Sequence, residues 1–383
     1  MMFLEYFIWG AWYVTVGTYM VANLEASGSE ASYAYTALAI ATMISPFLVG
    51  MVADRYFSAQ KIMGVLHIVG ALALYSMTLT TNTYLFIGIV LFYSLLYMPT
   101  IALSNSVAFS QMSDPGKQFP AVRMFGTIGW ICAGLLIGYM LIEKTMNTFY
   151  IAAGASLLLG LFSFTLPNVP PRAKGEVSAS QVLGTEAFVL FKNRSYLVFF
   201  ISAILICIPL SFYYGFTNLY LHEAGMENAA GKMIYGQASE AIFILAIPFL
   251  LRRIGVKKML LVGMAAWVFR YVLFAYGDSD NNLWMLYTGI ILHGVCYDFF
   301  FVTGYMYTDN RAGEKIKSAA QGLFTFATYG LGMVIGTWFS GIVADYYVAN
   351  GVREWQSIWM VPVYIAAAVI VYFALAFHDK KPV

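Results

Sequence analysis

Residues 235–250 read YGQASEAIFILAIPFL, an apolar stretch long enough to lie inside a bilayer, with Glu240 near its centre. An ionised acid at mid-membrane costs roughly 2.5–3.5 kcal/mol on insertion scales, so such acids face a partner or a wet cavity and act on ions or substrates. Gln237 precedes it by three residues and shares its helical face. An amide and a carboxylate on one stripe of an apolar helix read as part of a site. A structural glutamate bonded between helices is the competing reading.

The rest of the chain has the same character. Apolar residues make up 61% of the 383 and charged residues 10%, against about a quarter charged in globular proteins. A membrane helix needs about 20 apolar residues, and the sequence divides into twelve such segments: 3–24, 32–53, 60–79, 84–109, 121–141, 147–166, 195–221, 231–251, 258–276, 283–307, 318–346 and 356–377. The first lacks a basic leader and a small-residue cleavage site, so a retained helix is expected there. The expected architecture is all-α and polytopic: twelve transmembrane helices in two pseudo-symmetric six-helix bundles, 1–166 and 195–383, joined by a cytoplasmic linker over 167–194 rich in Pro and Ser.

Lys and Arg fix the expected orientation. With both termini in the cytoplasm, Lys144, Lys232 and Arg353 alone fall outside, Arg270 sits within the ninth span, and the other basic residues lie on or near the inner side, as the positive-inside rule requires. The net charge of +2 is small and spread over short loops, which gives no indication of nucleic-acid binding. Cys132, Cys207 and Cys296 lie in apolar segments without paired spacing, and so suggest neither a disulfide framework nor a metal site. No metal or cofactor is expected.

Polar residues inside the spans mark the remaining candidates. Glu5 lies near the cytoplasmic end of the first span, where it reads equally as an end-of-helix charge within reach of interfacial water and as a functional acid; Trp9, Trp12 and Tyr13 read as packing or belt aromatics, with cavity lining the alternative. In the fifth span Arg123, Thr127 and Trp130 share one face, with Gly126 and Gly129 allowing close packing beside it. Snorkelling to the interface is the alternative role for Arg123. Pro209 in the seventh span precedes a stripe of Ser211, Tyr214 and Asn218. Arg270, beside Trp267, calls for an acidic partner and reads as a structural salt bridge. In the tenth span His293 and Tyr297 share a face, with Asp298 one step around, and carboxylates and histidines form proton relays in transporters.

The second span ends in GMVADRYFSAQK, residues 50–61. Gly50 permits a close helix crossing, while Asp54, Arg55 and Lys61 can pair across the cytoplasmic side as a latch. This Gly-x-x-x-Asp-Arg-x-x-x-x-x-Lys pattern resembles the signature loop of the major facilitator superfamily. Ser45-Pro46-Phe47-Leu48 and Ile247-Pro248-Phe249-Leu250 echo each other at the ends of spans two and eight, and parallel repeats of this kind place a substrate site near the midplane between bundles. WGAWYVTVGTYM, YMPTIALSNS, RMFGTIGW, TLPNVP, QASEAIFILAIPFL, AWVFRYVLFAYGD and GVCYDFF extend the resemblance to one branch, the nucleoside:proton symporters of bacterial inner membranes.

The resemblance implies uptake of nucleosides driven by the proton gradient, by a multi-pass protein of the cytoplasmic membrane expected to be a monomer. It implies substrate-binding roles for Arg123, Thr127, Trp130, Gln237, Glu240 and Tyr297, and a proton role for Asp298 with Glu240. Ser211 and Tyr214 stand where the family pattern has Gln and Asn, His293 where it has Tyr, and Glu5 where it has Gln. These departures bear on substrate preference. The chemistry suits a nucleoside independently: a ring such as Trp130 or Tyr297 stacks the base, while Gln237 and Glu240 divide donor and acceptor duties with ribose. No cluster of phosphate-binding cations accompanies them. A sugar or glycoside porter of the same fold is the alternative, since an acid–amide pair and aromatics serve any polyol. An enzyme is not expected, because no HExxH motif, Ser-His-Asp arrangement or nucleotide loop is present.

Overall fold

A computed structural model describes residues 1–48, 57–171 and 185–378, with backbone alone at 46–48, 115, 116, 120, 314 and 315. Gly50, Asp54 and Arg55 therefore lie outside the described residues; Lys61 is exposed in the first turns of a helix. The chain forms two compact units, Met1–Ser178 with Asn228–Gly231, and Ala179–Glu227 with Lys232–Val383.

The first unit consists of α1 (Met2–Trp12), α2 (Val16–Asn23), α3 (Gly28–Leu48), α4 (Ala59–Met77), α5 (Thr83–Ser110), α6 (Pro115–Tyr139) and α7 (Asn147–Ser163). The first expected span is broken: the Thr15 N–H and hydroxyl both donate to the Trp12 carbonyl, tightening the chain into a turn between α1 and α2. Local chemistry sets several starts. Asn82 accepts from the Leu85 N–H ahead of α5, and Asp114 from the Lys117 N–H ahead of α6, which then opens on Pro115; each satisfies a donor that a helix start leaves unpaired. α1 packs on α6 and α7, and α4 on α5 and α7.

The second unit opens with a 3₁₀ segment, Thr185–Lys192, and continues through α8 (Arg194–Glu223), α9 (Ala229–Tyr276), α10 (Leu283–Ile291), α11 (His293–Tyr297), α12 (Thr303–Thr325), α13 (Met333–Tyr346) and α14 (Trp355–Ala376). Spans eight and nine of the sequence reading run together in α9, and the break between them is a single residue, Gly255, at φ 76°. Glycine holds this left-handed conformation without the Cβ clash that other residues suffer. Two π-helical segments interrupt the last third, Asp298–Val302 between α11 and α12, and Phe326–Gly332 between α12 and α13. A short hairpin, Val348–Ala349 with Val352–Arg353, precedes α14. It is tied down by Glu223, which accepts from Arg353 at 2.6 Å and from the Trp355 indole at 2.9 Å.

Among the described residues, eight helical stretches are long and apolar enough to cross a membrane, and the shorter α7 is apolar too. Prolines inside α5, α8, α9 and α14 are Pro99, Pro209, Pro248 and Pro362, a frequency that membrane helices tolerate where neighbours satisfy the freed backbone groups. Large apolar side chains such as Leu72, Ile242, Leu245 and Phe249 point outward.

Candidate functional site

In the first unit the face of α6 is held against α1 by small residues. A Cβ on Gly126 would meet the Tyr6 ring, and one on Gly129 would meet the Phe3 carbonyl, so the packing role expected of both glycines holds. Half-buried Arg123 lies over the Tyr6 ring with its guanidinium carbon 3.9 Å from the centroid. Thr127 is half-buried on the same face. Trp130 meets Trp9 edge to face at 5.5 Å and Tyr13 at 6.1 Å. These rings form a partly accessible aromatic wall beside one cation and one hydroxyl, with Trp12 fully buried behind it.

In the second unit a close helix crossing positions Glu240. Gly294 of α11 lies so near α9 that a Cβ there would come within 2.5 Å of the Glu240 nitrogen. Ser239 clamps the crossing by donating to the Ile291 carbonyl at 2.5 Å and accepting from the Gly294 N–H at 2.9 Å. Glu240 is thereby set with Oε2 3.8 Å from Nε2 of His293. His293 is buried and stacked on Tyr213 at 4.8 Å, with Tyr214 and Tyr297 against its other sides at 6.2 and 5.7 Å. The hydroxyls of Tyr297 and Tyr329 meet in a short hydrogen bond. Gln237, half-buried, lies one turn before Glu240.

Asp298 follows Tyr297 at the start of the first π-helical segment. It is completely buried, and neither carboxylate oxygen has a hydrogen-bond partner among the described residues. π-Helical turns concentrate at functional sites, and here one begins at the acid while the other carries Tyr329.

The structure brings Tyr214, Glu240, His293 and Tyr297 together, and it turns Ser211 elsewhere. The Ser211 hydroxyl donates to the Cys207 carbonyl at 2.8 Å and lies against Met333 and Gly336. Asn218 is buried farther along α8.

Two expectations are corrected. Arg270 forms no ion pair among the described residues; its guanidinium sits 3.4 Å from the Tyr213 ring centroid, near Trp267 and Phe274, and approaches Nδ1 of His293 at 3.2 Å. An aromatic cage surrounds the cation where a carboxylate was expected, and its Nε and Nη2 have no hydrogen-bond partner among the described residues. Glu5 does not reach interfacial water: it is wholly buried, 3.1 Å from Nε2 of His67. His67, Tyr213, Ser239, Gly294 and Tyr329 were not singled out from the sequence. Spacing could have flagged Ser239 beside Glu240; the others depend on which helices become neighbours. Cys132, Cys207 and Cys296 are unpaired.

The sequence model of the family described as nucleoside H+ symporter matches residues 1–382. The putative nucleoside transporter YegT of Escherichia coli (strain K12) is 42% identical over 99% of this chain and 93% of that protein. Xanthosine permease of the same organism is 36% identical over 100% of this chain and 96% of its own length. A crystal structure of the nucleoside transporter NupG superposes with a TM-score of 0.93 at 32% identity, covering 98% of each chain. The chain thus belongs to the nucleoside:proton symporter family, as a multi-pass membrane transporter of the major facilitator fold that takes up nucleosides together with protons.

Proposed function

We propose two sets of nucleoside-binding residues, each within its own unit: Arg123, Thr127 and Trp130 in the first, and Tyr214, Gln237, Glu240, His293 and Tyr297 in the second. Aromatic faces take the base, and the amide, carboxylate and imidazole take the ribose and the polar edge of the base. Ser211 is left out of this set because its hydroxyl is already engaged. Asp298 carries the transported proton, and Glu240 links that proton to substrate.

The observation that supports the proton role is the isolation of Asp298. A dissociated carboxylate buried without hydrogen bonds is strongly unfavourable, so a carboxyl with two unpartnered oxygens suits a group that is neutral in this state and loses its proton in another. The transporter works as a monomer in the cytoplasmic membrane with both termini inside, a placement supported by the distribution of Lys and Arg.

Uptake of labelled nucleoside into proteoliposomes under an imposed pH gradient tests the reading. Uptake should accelerate when the outside is acidified and collapse with an uncoupler. Indifference to both would reject proton coupling, and failure of nucleosides to compete for uptake would reject the substrate.

A further inference from the structure

The first unit holds a second buried acid–base cluster that nucleoside binding does not use. Glu5 of α1 and His67 of α4 are 0% and 2% exposed. Glu5 Oε2 is 3.1 Å from His67 Nε2. On the far side of the imidazole, Nδ1 is 3.3 Å from Ser156 Oγ, and that hydroxyl donates to the His67 carbonyl at 2.8 Å. On the far side of the carboxyl group, Oε1 is 2.6 Å from Thr100 Oγ1, which also lies 2.6 Å from the Tyr97 carbonyl.

Thr100 has one hydrogen for its two acceptors, so four of these five contacts can be made at once, and each of the four needs one hydrogen. Ser156, Thr100 and a neutral imidazole supply one apiece, and a dissociated carboxyl supplies none. The serine hydrogen goes to the shorter contact with the His67 carbonyl, so Ser156 Oγ accepts from Nδ1–H. A neutral imidazole then presents a bare Nε2 to Glu5, and a dissociated Glu5 presents a bare oxygen in return. Two lone pairs opposed in a dry interior repel. One added proton turns the same geometry into a hydrogen bond, and buried polar groups are costly unless so satisfied.

We infer that Glu5 and His67 together form a second proton-binding site of this symporter, holding one dissociable proton between Oε2 and Nε2. The pair is electrically neutral when loaded, whichever partner carries the proton, and the proton belongs to both. The inference rests on the symport reading above. Charged and titratable groups facing the pair are the Met1 amino group, Tyr6 from α1, and Tyr93 and Tyr97 from α5; α7 contributes Ser156, and Arg123 of α6 lies one step away, over the Tyr6 ring. Tyr6 thus stands between the pair and Arg123, a proposed nucleoside ligand.

The proton-to-nucleoside ratio, read from the reversal potential of flux in proteoliposomes, tests this. Glu5→Gln reproduces the loaded pair, since an amide N–H donates to Nε2 and the amide oxygen accepts from Thr100, but it has no proton to release. Its ratio should fall by one while nucleoside still raises its melting temperature as in the wild type. An unchanged ratio overturns the inference. Should Glu5→Gln fail to fold, the double variant Glu5→Gln with His67→Gln, which keeps two polar amides and no titratable group, should show the same loss of one, and an unchanged ratio there is equally decisive against the site. A wild-type ratio of zero overturns the symport reading itself and is recognised before any variant is compared.

Discussion

Nη1 of Arg270 lies 3.2 Å from Nδ1 of His293. A guanidinium has hydrogens and no acceptor, so Nδ1 must be the bare nitrogen and Nε2 must carry the ring hydrogen. That hydrogen points toward Glu240, 3.8 Å away. Arg270 therefore acts as a positioning residue, fixing which edge of the imidazole donates.

Arg270→Lys keeps the charge but cannot both lie flat on Tyr213 and donate to Nδ1. Nucleoside affinity measured by calorimetry should weaken about tenfold, equivalent to roughly 1.4 kcal/mol. The cage itself should loosen, since a desolvated cation–π contact contributes about 2 kcal/mol, and the melting temperature should drop. Unchanged affinity and melting temperature would show that His293 orients itself.

Asp298→Asn removes the proton but keeps the shape. Accumulation against a gradient should be abolished while counterflow exchange of labelled for unlabelled nucleoside remains measurable. Because the native carboxylate oxygens make no hydrogen bonds among the described residues, thermal stability should hold or rise. Concentrative uptake by the variant would remove Asp298 from the coupling mechanism.

Gly294→Ala places a methyl group against the Glu240 and Ser239 backbone, where the approach is 2.5 Å. Overpacking of this kind costs about 1–3 kcal/mol. The half-saturation concentration for nucleoside should rise, since the same crossing aims Glu240. Saturation kinetics in vesicles, compared with the open position Gly322→Ala as control, check this.

Asp278 gives a pH dependence of stability outside the spans. Its carboxylate accepts from the N–H groups of Asn281 at 2.5 Å and Asp280 at 2.9 Å, and from the Asn282 side chain at 2.9 Å. The Asn281 bond, followed by the others, holds it below its ordinary 3.8. With the folded value below the unfolded one, its stabilisation is present above pH 3.8 and vanishes as pH falls through the folded value. Asp278→Ala should melt lower than wild type at neutral pH, with the gap closing in acid. A gap that persists below the folded value would assign the effect to something other than this carboxylate.

Much of the helical layout was legible because a run of apolar residues has one stable fate in lipid, and the isolated polar residues within those runs marked Glu240, His293 and Asp298. The pairings were not. Glu5 and His67 are 62 positions apart, and Arg270 could be matched to a carboxylate or to an aromatic cage on composition alone. The answer depends on which helix faces become neighbours, and pattern within one helix does not encode that. The break at Tyr13–Thr15 has a related cause: hydropathy averages over three residues set inside a long apolar run and does not register a turn there. The role of Gly294 is a matter of distance between backbones, invisible until α9 and α11 are placed.

The π-helical stretches at Asp298–Val302 and Phe326–Gly332 each hold more chain per turn than the helices around them. Deleting one residue from either would remove the surplus, return it to regular α-helical geometry and re-aim the side chains within that turn. What these stretches specify is therefore length. Side-chain replacements there should be tolerated far better than single-residue deletions or insertions, which would misdirect Asp298 or Tyr329 without disturbing a single apolar span.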